Sequence, residues 1–175
     1  MIEQVSIKNY KSIKDLSLPL NRLNVLIGSN GAGKSNLISF FELTKAIYEQ
    51  RLGSYTLSKG GIDNLLRQGR KISPSIQGLI DFDNTNAFFF EIRPLQSNKG
   101  YIEQTGDYFN NLHKEDKNYA EWNKSFEVDD IIVVDRADHQ SIFRHLEREE
   151  LEKWMDDYEL SLSDLWEKNM IGGQL

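Results

Sequence analysis

The chain has 175 residues, of which 39% are apolar, and this length is sufficient for one domain with a buried core. It contains no cysteine, which excludes a disulfide framework, a thiolate metal site and a cysteine nucleophile. Because the sequence has neither an apolar run of about eighteen residues nor an apolar signal segment near Met1, we expect a cytoplasmic protein that does not span a membrane.

The net charge of −6 is distributed unevenly along the chain. Residues 1–105 contain 13 basic and 9 acidic side chains, whereas residues 106–175 contain 8 basic and 18 acidic ones. This shift indicates a change of character near residue 106. Affinity for nucleic acid depends on basic side chains that neutralise phosphates, so DNA is a possible partner that the charge balance does not support.

Apolar periodicity predicts an α/β protein with a β-rich middle section. Alternating or short apolar runs predict the strands, helical spacing predicts the helices, and Asp83–Thr85 is a hairpin signal of moderate quality. Residues 51–61 and the polar residues 106–127 are predicted to be irregular. The predicted elements, in chain order, are strands over 2–8, 15–20 and 23–27, a helix over 34–50, a short helix over 62–68, strands over 75–82, 86–94 and 101–104, a strand over 130–135, a helix around 147–158, and a final helix over 162–166 that Gly172 and Gly173 cap.

The segment between the third strand and the long helix matches the phosphate-binding motif G-x-x-x-x-G-K-[ST] at every specified position. Its residues are Gly28, Ser29, Asn30, Gly31, Ala32, Gly33, Lys34 and Ser35. Glycines let backbone N–H groups turn toward phosphate oxygens, and the helix N-terminus adds donors and its positive dipole end. Lys34 is expected to reach the β- and γ-phosphates, and the Ser35 hydroxyl is expected to hold Mg²⁺. Motif and context together predict a nucleoside triphosphate site, in which we include Asn36.

The residues around this loop resemble the RecF/SMC-type branch of ABC-class ATPases. Those proteins open with an I-x-N-[FY]-[KR]-S stretch and carry a G-x-N-[GA]-[AS]-G-K-S loop, which residues 7–12 and 28–35 match. Residues 60–69 are similar to a stretch of overcoming-lysogenization-defect-like ATPases, and residues 130–173 look like the C-terminal end of such proteins. The resemblance implies an α/β P-loop NTPase fold of the ABC type with an antiparallel β-subsheet, and it implies ATP and Mg²⁺ as cofactors.

The resemblance also implies a domain plan and partners. Residues 1–105 correspond to the first lobe with its antiparallel meander, 106–127 to a polar connector, and 128–175 to the C-terminal strand and helices of the same domain. Relatives act in DNA repair or phage defence, so a homodimer or a partner ATPase or nuclease subunit is expected. By analogy with the family, Tyr10 and Lys11 are candidates for adenine stacking or phosphate contact.

The sequence departs from the family at its centre. An LSGGQ-like signature and a Walker B strand ending in Asp-Glu are expected there, but only the polar connector separates the two matching regions. Residues 131–135 have the apolar-then-acid form of a Walker B strand, although Arg136 follows where the catalytic Glu is expected. Asp135 is a candidate Mg²⁺ ligand if its strand lies beside the loop strand. We favour the simpler interpretation that Asp135 ends a strand and caps a turn.

Other motif-like features have simpler explanations. Gln77 and Gln104 lie at distances from the loop where a magnesium-sensing glutamine occurs in the family, but glutamines on surface strands are common. We retain Gln77 as a candidate metal contact. Residues 57–61 resemble a signature motif but follow Lys34 too closely, and residues 172–174 are better explained as a helix cap. The three histidines show no metal-ligand spacing.

Two functions therefore remain open. The chain is an ATPase whose site a second copy or a partner completes, or it is a non-hydrolysing nucleotide-binding or interaction module, such as a fragment of a larger ATPase. A GTPase is disfavoured because no D-x-x-G follows the loop and residues 123–126 lack the aspartate of N-K-x-D. A small-molecule kinase is disfavoured because Arg67, Arg70 and Lys71 are the only hint of an arginine-rich lid.

Overall fold

A computed structural model describes residues 1–82, 86–109, 128–150 and 153. The predicted hairpin turn at 83–85, the connector residues 110–127 and the predicted C-terminal helices, apart from the start of the first, lie outside these ranges. No helix within the described ranges is long and apolar enough to cross a membrane. The elements are β1 (Ile2–Tyr10), β2 (Ile13–Pro19), β3 (Val25–Ile27), α1 (Lys34–Tyr48), α2 (Leu52–Ser58), a 3-10 turn (Ile62–Asn64), β4 (Ile76–Phe82), β5 (Asn86–Pro94), β6 (Gly100–Phe109), a second 3-10 turn (Val128–Asp130), β7 (Ile131–Ala137) and β8 (Gln140–His145).

Five strands form an antiparallel sheet in the order β2-β1-β4-β5-β6. The predicted meander is confirmed as the consecutive pairs β4–β5 and β5–β6, and β6 continues to Phe109 rather than ending near residue 104. The alternation in β1 buries Val5 and Ile7 on the face that meets the core.

Helix α1 packs on the buried face of this sheet. The Phe40 ring stacks on Phe90 of β5 at a centroid distance of 5.7 Å and meets Tyr10 of β1 edge to face at 5.5 Å. Gly78 of β4 lies under both phenyl rings, and a Cβ atom there would overlap Phe90 and lie 2.7 Å from Phe40 Cζ. The absent side chain at residue 78 thus allows the helix to lie close to the sheet.

A second sheet joins distant parts of the chain in the order β3-β7-β8. Strand β3 pairs with β7 in parallel, with Val25, Leu26 and Ile27 opposite Ile131, Ile132 and Val133. Ile132 and Val134 belong to the same apolar core as Phe40. The two ends of the described chain therefore share one core.

Three elements differ from the sequence prediction in kind. The predicted short helix over 62–68 is a 3-10 turn of three residues, Ile62–Asn64. Helix α2 lies in the segment predicted to be irregular. Its buried residues, Leu52 and Thr56, are only one helical turn apart, and Gly53 between them suggested a loop. Strand β8 was not predicted, although Ser141 and Phe143 alternate with exposed residues. Asp138 and His139 form its two-residue turn with φ angles of 49° and 59°, a conformation usually signalled by Asn-Gly or Asp-Gly.

Two glycine substitutions test this packing. We expect Gly78→Ala to lower the free energy of unfolding by about 1–3 kcal/mol, because the added methyl group overpacks the contact between α1 and β4. Gly53→Ala is the matched control, since nothing lies within 4 Å of a Cβ there and alanine favours a helix by up to about 1 kcal/mol. Urea unfolding of both variants provides the measurement. Equal stability of the two variants would contradict the described packing.

Candidate functional site

The loop between β3 and α1 owes its shape to close approaches from the β7–β8 hairpin. A Cβ atom at Gly28 would overlap the Val134 carbonyl oxygen of β7. At Gly33, which precedes α1 with φ 119°, a Cβ atom would overlap the Ser141 hydroxyl of β8. Only glycine satisfies both the contact and the positive φ at residue 33. The first and last glycines of the loop, Gly28 and Gly33, are thus fixed by neighbouring strands as well as by the loop itself.

Lys34 folds back across this loop. Its ammonium donates hydrogen bonds to the Gly28 carbonyl at 2.5 Å and to the Ser29 carbonyl at 2.9 Å. Helix α1 has no side-chain cap at Gly33 and no acidic residue in its first turn. The positive end of the helix dipole therefore faces the loop without a neutralising carboxylate in that turn. Ser35 is exposed, as are Asn30 and Gly31 of the loop, so the site is open to an anion from solvent.

A chain of hydroxyl groups supports the loop from the side. The Ser141 hydroxyl is buried, donates to the Ala32 carbonyl oxygen and lies 2.7 Å from the Ser12 hydroxyl. Asn36 Nδ2 donates to Ser12 Oγ at 2.6 Å, and the Ser141 backbone N–H donates to the Ser12 carbonyl at 2.9 Å. The turn after β1, the loop, α1 and β8 therefore meet at one point. Ser12 is the last residue of the family-like stretch 7–12, but nothing in that stretch predicts this contact, and Ser141 is an isolated serine that belongs to no motif.

The structure places Arg136, rather than Asp135, against the loop. Strand β7 does lie beside β3, as the Walker B interpretation required. Side chains alternate along a strand, so Asp135 lies on the face of Ile131 and Val133, away from the α1-facing Ile132. Arg136 lies on the other face and donates to the Gly31 carbonyl at 3.2 Å.

Asp135 lies within electrostatic range of a basic side chain. Its charge acts on Arg144, whose pKa is raised mainly by hydrogen bonds to Glu150 and to a lesser degree by Asp135. Arg144 binds the Glu150 carboxylate through two hydrogen bonds of 2.6 and 2.8 Å. The interpretation that Asp135 ends a strand and caps a turn is wrong, because β7 continues to Ala137 and Asp135 is paired with Ile142 of β8.

Gln77 lies on the wrong face of the antiparallel sheet for a metal contact. Its neighbours in β4, Ile76 and Gly78, face the core and α1, so Gln77 faces away from the helix that carries Ser35. It is directly opposite Glu91, and a hydrogen bond from Gln77 is one of the causes that lower the pKa of Glu91, after those from Ser75 and Arg93. Gln104 continues the same row. The prediction that Gln77 contacts magnesium does not hold in this arrangement.

Tyr10 belongs to the core. Its side chain is fully buried, and its hydroxyl lies 3.1 Å from both the carbonyl oxygen and the hydroxyl of Ser39 in α1. Burial is the main cause that raises the pKa of this phenol. No face of the ring is available for adenine, so the expected stacking is wrong.

Lys11 is engaged at the same helix. Its ammonium donates to the Ser39 hydroxyl at 2.9 Å and lies 5.4 Å from the Tyr10 ring centroid. Burial, and secondarily the charge of Lys59, lowers the pKa of Lys11. A nucleotide contact by Lys11 stays a prediction, and it requires the side chain to leave Ser39.

Comparison with known proteins agrees with this geometry. Residues 1–170 match the AAA ATPase domain family. A stretch of 43 residues is 35% identical to the OLD nuclease of Thermus scotoductus (strain ATCC 700910 / SA-01). That stretch is 25% of this chain and 8% of the nuclease, so the match spans a small part of that relative's length. The resemblance to overcoming-lysogenization-defect-like P-loop ATPases is confirmed, and the chain belongs to the AAA ATPase domain family.

Proposed function

We propose that this chain binds Mg²⁺-ATP through the loop of residues 28–35. The position of the Lys34 ammonium carries the proposal. It lies on the Gly28 and Ser29 carbonyls at the edge of β3, where a phosphate that accepts from the loop N–H groups can also accept from Lys34. Asn30 and Gly31 are exposed at the mouth, and the open helix end behind them favours an anion.

Ser35 is the residue that would hold Mg²⁺. Its side chain is exposed beside Lys34, and Mg²⁺ is bound in such sites by few protein oxygens together with phosphate oxygens and water. Within the described part of the chain, no group of three or more acidic or histidine side chains forms a metal site. The donor set therefore fits a metal that arrives with the nucleotide, where it would neutralise charge on the β- and γ-phosphates.

Hydrolysis needs a group that orients the attacking water, and the described residues favour binding without it. Asp135 lies on the face of β7 that carries Ile131 and Val133, and Arg136 on the opposite face contacts the loop. We propose that a second copy or a partner ATPase or nuclease subunit supplies the missing carboxylate. A non-hydrolysing nucleotide-binding module is the second candidate, and the same placement of Asp135 favours it.

We also propose an ABC-type, RecF/SMC-like plan, with residues 1–105 as the first lobe, 106–127 as a connector and 128–175 as part of the same domain. The pairing of β3 with β7 supports the inclusion of the last segment. The partial likeness to a protein named OLD nuclease supports a link to a nuclease, and from the family resemblance we propose a role in DNA repair or phage defence.

The first test is Mg²⁺-ATP binding by Lys34→Ala, measured by calorimetric titration. We expect affinity to fall by more than about tenfold, because charge-assisted hydrogen bonds to phosphate are lost. Lys45→Ala is the matched control, since Lys45 is an exposed lysine of α1 that faces Glu49 at 4.0 Å. Equal affinities of Lys34→Ala and Lys45→Ala would contradict the assignment of the loop.

A second test separates binding from hydrolysis. We expect the chain alone to release phosphate from Mg²⁺-ATP no faster than Lys34→Ala, because no described carboxylate is placed to orient water. Steady-state phosphate release provides the measurement. Turnover that disappears in both Lys34→Ala and Asp135→Asn would show that Asp135 acts in catalysis and that the binding-only interpretation is wrong.

A further inference from the structure

Ser141 contacts the loop from a strand that lies more than a hundred residues further along the chain. Its side chain is 6% exposed, and its hydroxyl donates to the Ala32 carbonyl oxygen. The hydroxyl also occupies the space that a side chain at residue 33 would need. The contact is therefore with the peptide unit that joins Ala32 to Gly33.

The orientation of that peptide unit determines where the Gly33 N–H points. The peptide bonds of the described residues are all trans, and in a trans peptide the C=O and N–H groups point in opposite directions. A hydrogen bond that draws the Ala32 carbonyl toward Ser141 thus turns the Gly33 N–H away from β8. In a phosphate-binding loop, such N–H groups are the donors that receive the anion.

The donors of the hydroxyl chain can be assigned without conflict. The single hydroxyl hydrogen of Ser141 is used on the Ala32 carbonyl, so the Ser12 hydroxyl donates across the 2.7 Å to Ser141 Oγ. Ser12 Oγ in turn accepts from Asn36 Nδ2 at 2.6 Å. The three hydrogen bonds therefore run in one direction, from Asn36 to Ser12, from Ser12 to Ser141 and from Ser141 to the Ala32 carbonyl. Because each hydroxyl both accepts and donates, each bond polarises the next.

We propose that Ser141 is a positioning residue of the nucleotide site, which holds the Ala32–Gly33 peptide so that the Gly33 N–H donates to a bound phosphate. This inference rests on the proposed function. Arg136, which precedes the same hairpin turn, adds a second hold at the Gly31 carbonyl. The hairpin β7–β8 accordingly forms one side of the phosphate site. Ser12, in the turn after β1, supports this hairpin through its contact with Ser141.

The test is calorimetric titration of Ser141→Ala with Mg²⁺-ATP and with Mg²⁺-triphosphate. We expect both affinities to fall by about tenfold, because the contact acts on phosphate rather than on the nucleoside. Ser58→Ala is the matched control, since Ser58 is an exposed serine whose hydroxyl also donates to a backbone carbonyl, that of Tyr55, at 2.7 Å. We expect that control to bind both ligands as the unchanged chain does.

A double-mutant cycle with Ser12→Ala distinguishes positioning from general destabilisation. If the hydroxyls act in one chain, Ser12→Ala and Ser141→Ala are non-additive, and the double variant binds no more weakly than Ser141→Ala. Losses that multiply would overturn the proposal. The amide signal of Gly33 supplies a spectroscopic readout, because a donor to phosphate shifts strongly when Mg²⁺-triphosphate is added.

Each failure has a distinct meaning. Unchanged affinity in Ser141→Ala, or an unmoved Gly33 amide signal in the unchanged chain on saturation with triphosphate, would overturn the positioning role while the proposed function stands. The amide measurement needs no variant, so an unmoved Gly33 signal overturns the positioning role even if Ser141→Ala does not fold. Failure of the unchanged chain to bind either ligand would overturn the proposed function and the inference together.

Discussion

The parallel pairing of β3 with β7 is the contact on which the geometry of the loop depends. Ile27 is opposite Val133, so the residues that follow each strand leave the sheet at the same edge. After β3 this is the loop with Lys34, which runs beside Arg136 in the last part of β7, and after β7 it is the turn into β8. Because the register is fixed, the Ser141 hydroxyl reaches the Ala32 carbonyl and leaves room for glycine alone at residue 33.

The charge around the loop is therefore positive, opposite in sign to the net charge of the whole chain. The net charge is −6, yet the groups at the loop are the Lys34 ammonium, the Arg136 guanidinium and the positive end of α1. Such a site attracts a polyanion regardless of the acidic surface elsewhere, since nearby charges dominate at short range. The same arrangement provides no carboxylate at the loop among the described residues that the geometry brings together. Phosphate binding and water activation are therefore separate properties here, and only the first is proposed for this chain.

Sequence reasoning located the loop because Gly28, Gly33, Lys34 and Ser35 form a local motif in which strand, turn and helix follow one another. It could not predict the contacts of Ser12, Arg136 and Ser141 with the loop, because these arise from tertiary pairing between distant segments. Tyr10 was misassigned for a related reason: its position in a family-like stretch said nothing about the Ser39 carbonyl and the Phe40 ring that enclose it. The prediction for Gln77 was wrong because neighbouring side chains on a strand face opposite sides of the sheet, and Gln77 lies on the side away from the loop. Helix α2 was not predicted because it contains Gly53, which disfavours a helix. Burial of Leu52 offsets that cost in the folded chain.

The most direct test is amide hydrogen exchange of the full chain with and without Mg²⁺-ATP. We expect slower exchange in residues 28–36 together with β8, because ligand and hairpin hold the same loop and must stabilise one another. The β5–β6 pair should exchange at an unchanged rate and serves as the internal reference. Protection of the loop and of β8 in parallel would support a single phosphate site built from both ends of the chain. Unchanged exchange in residues 28–36 at saturating Mg²⁺-ATP would contradict it.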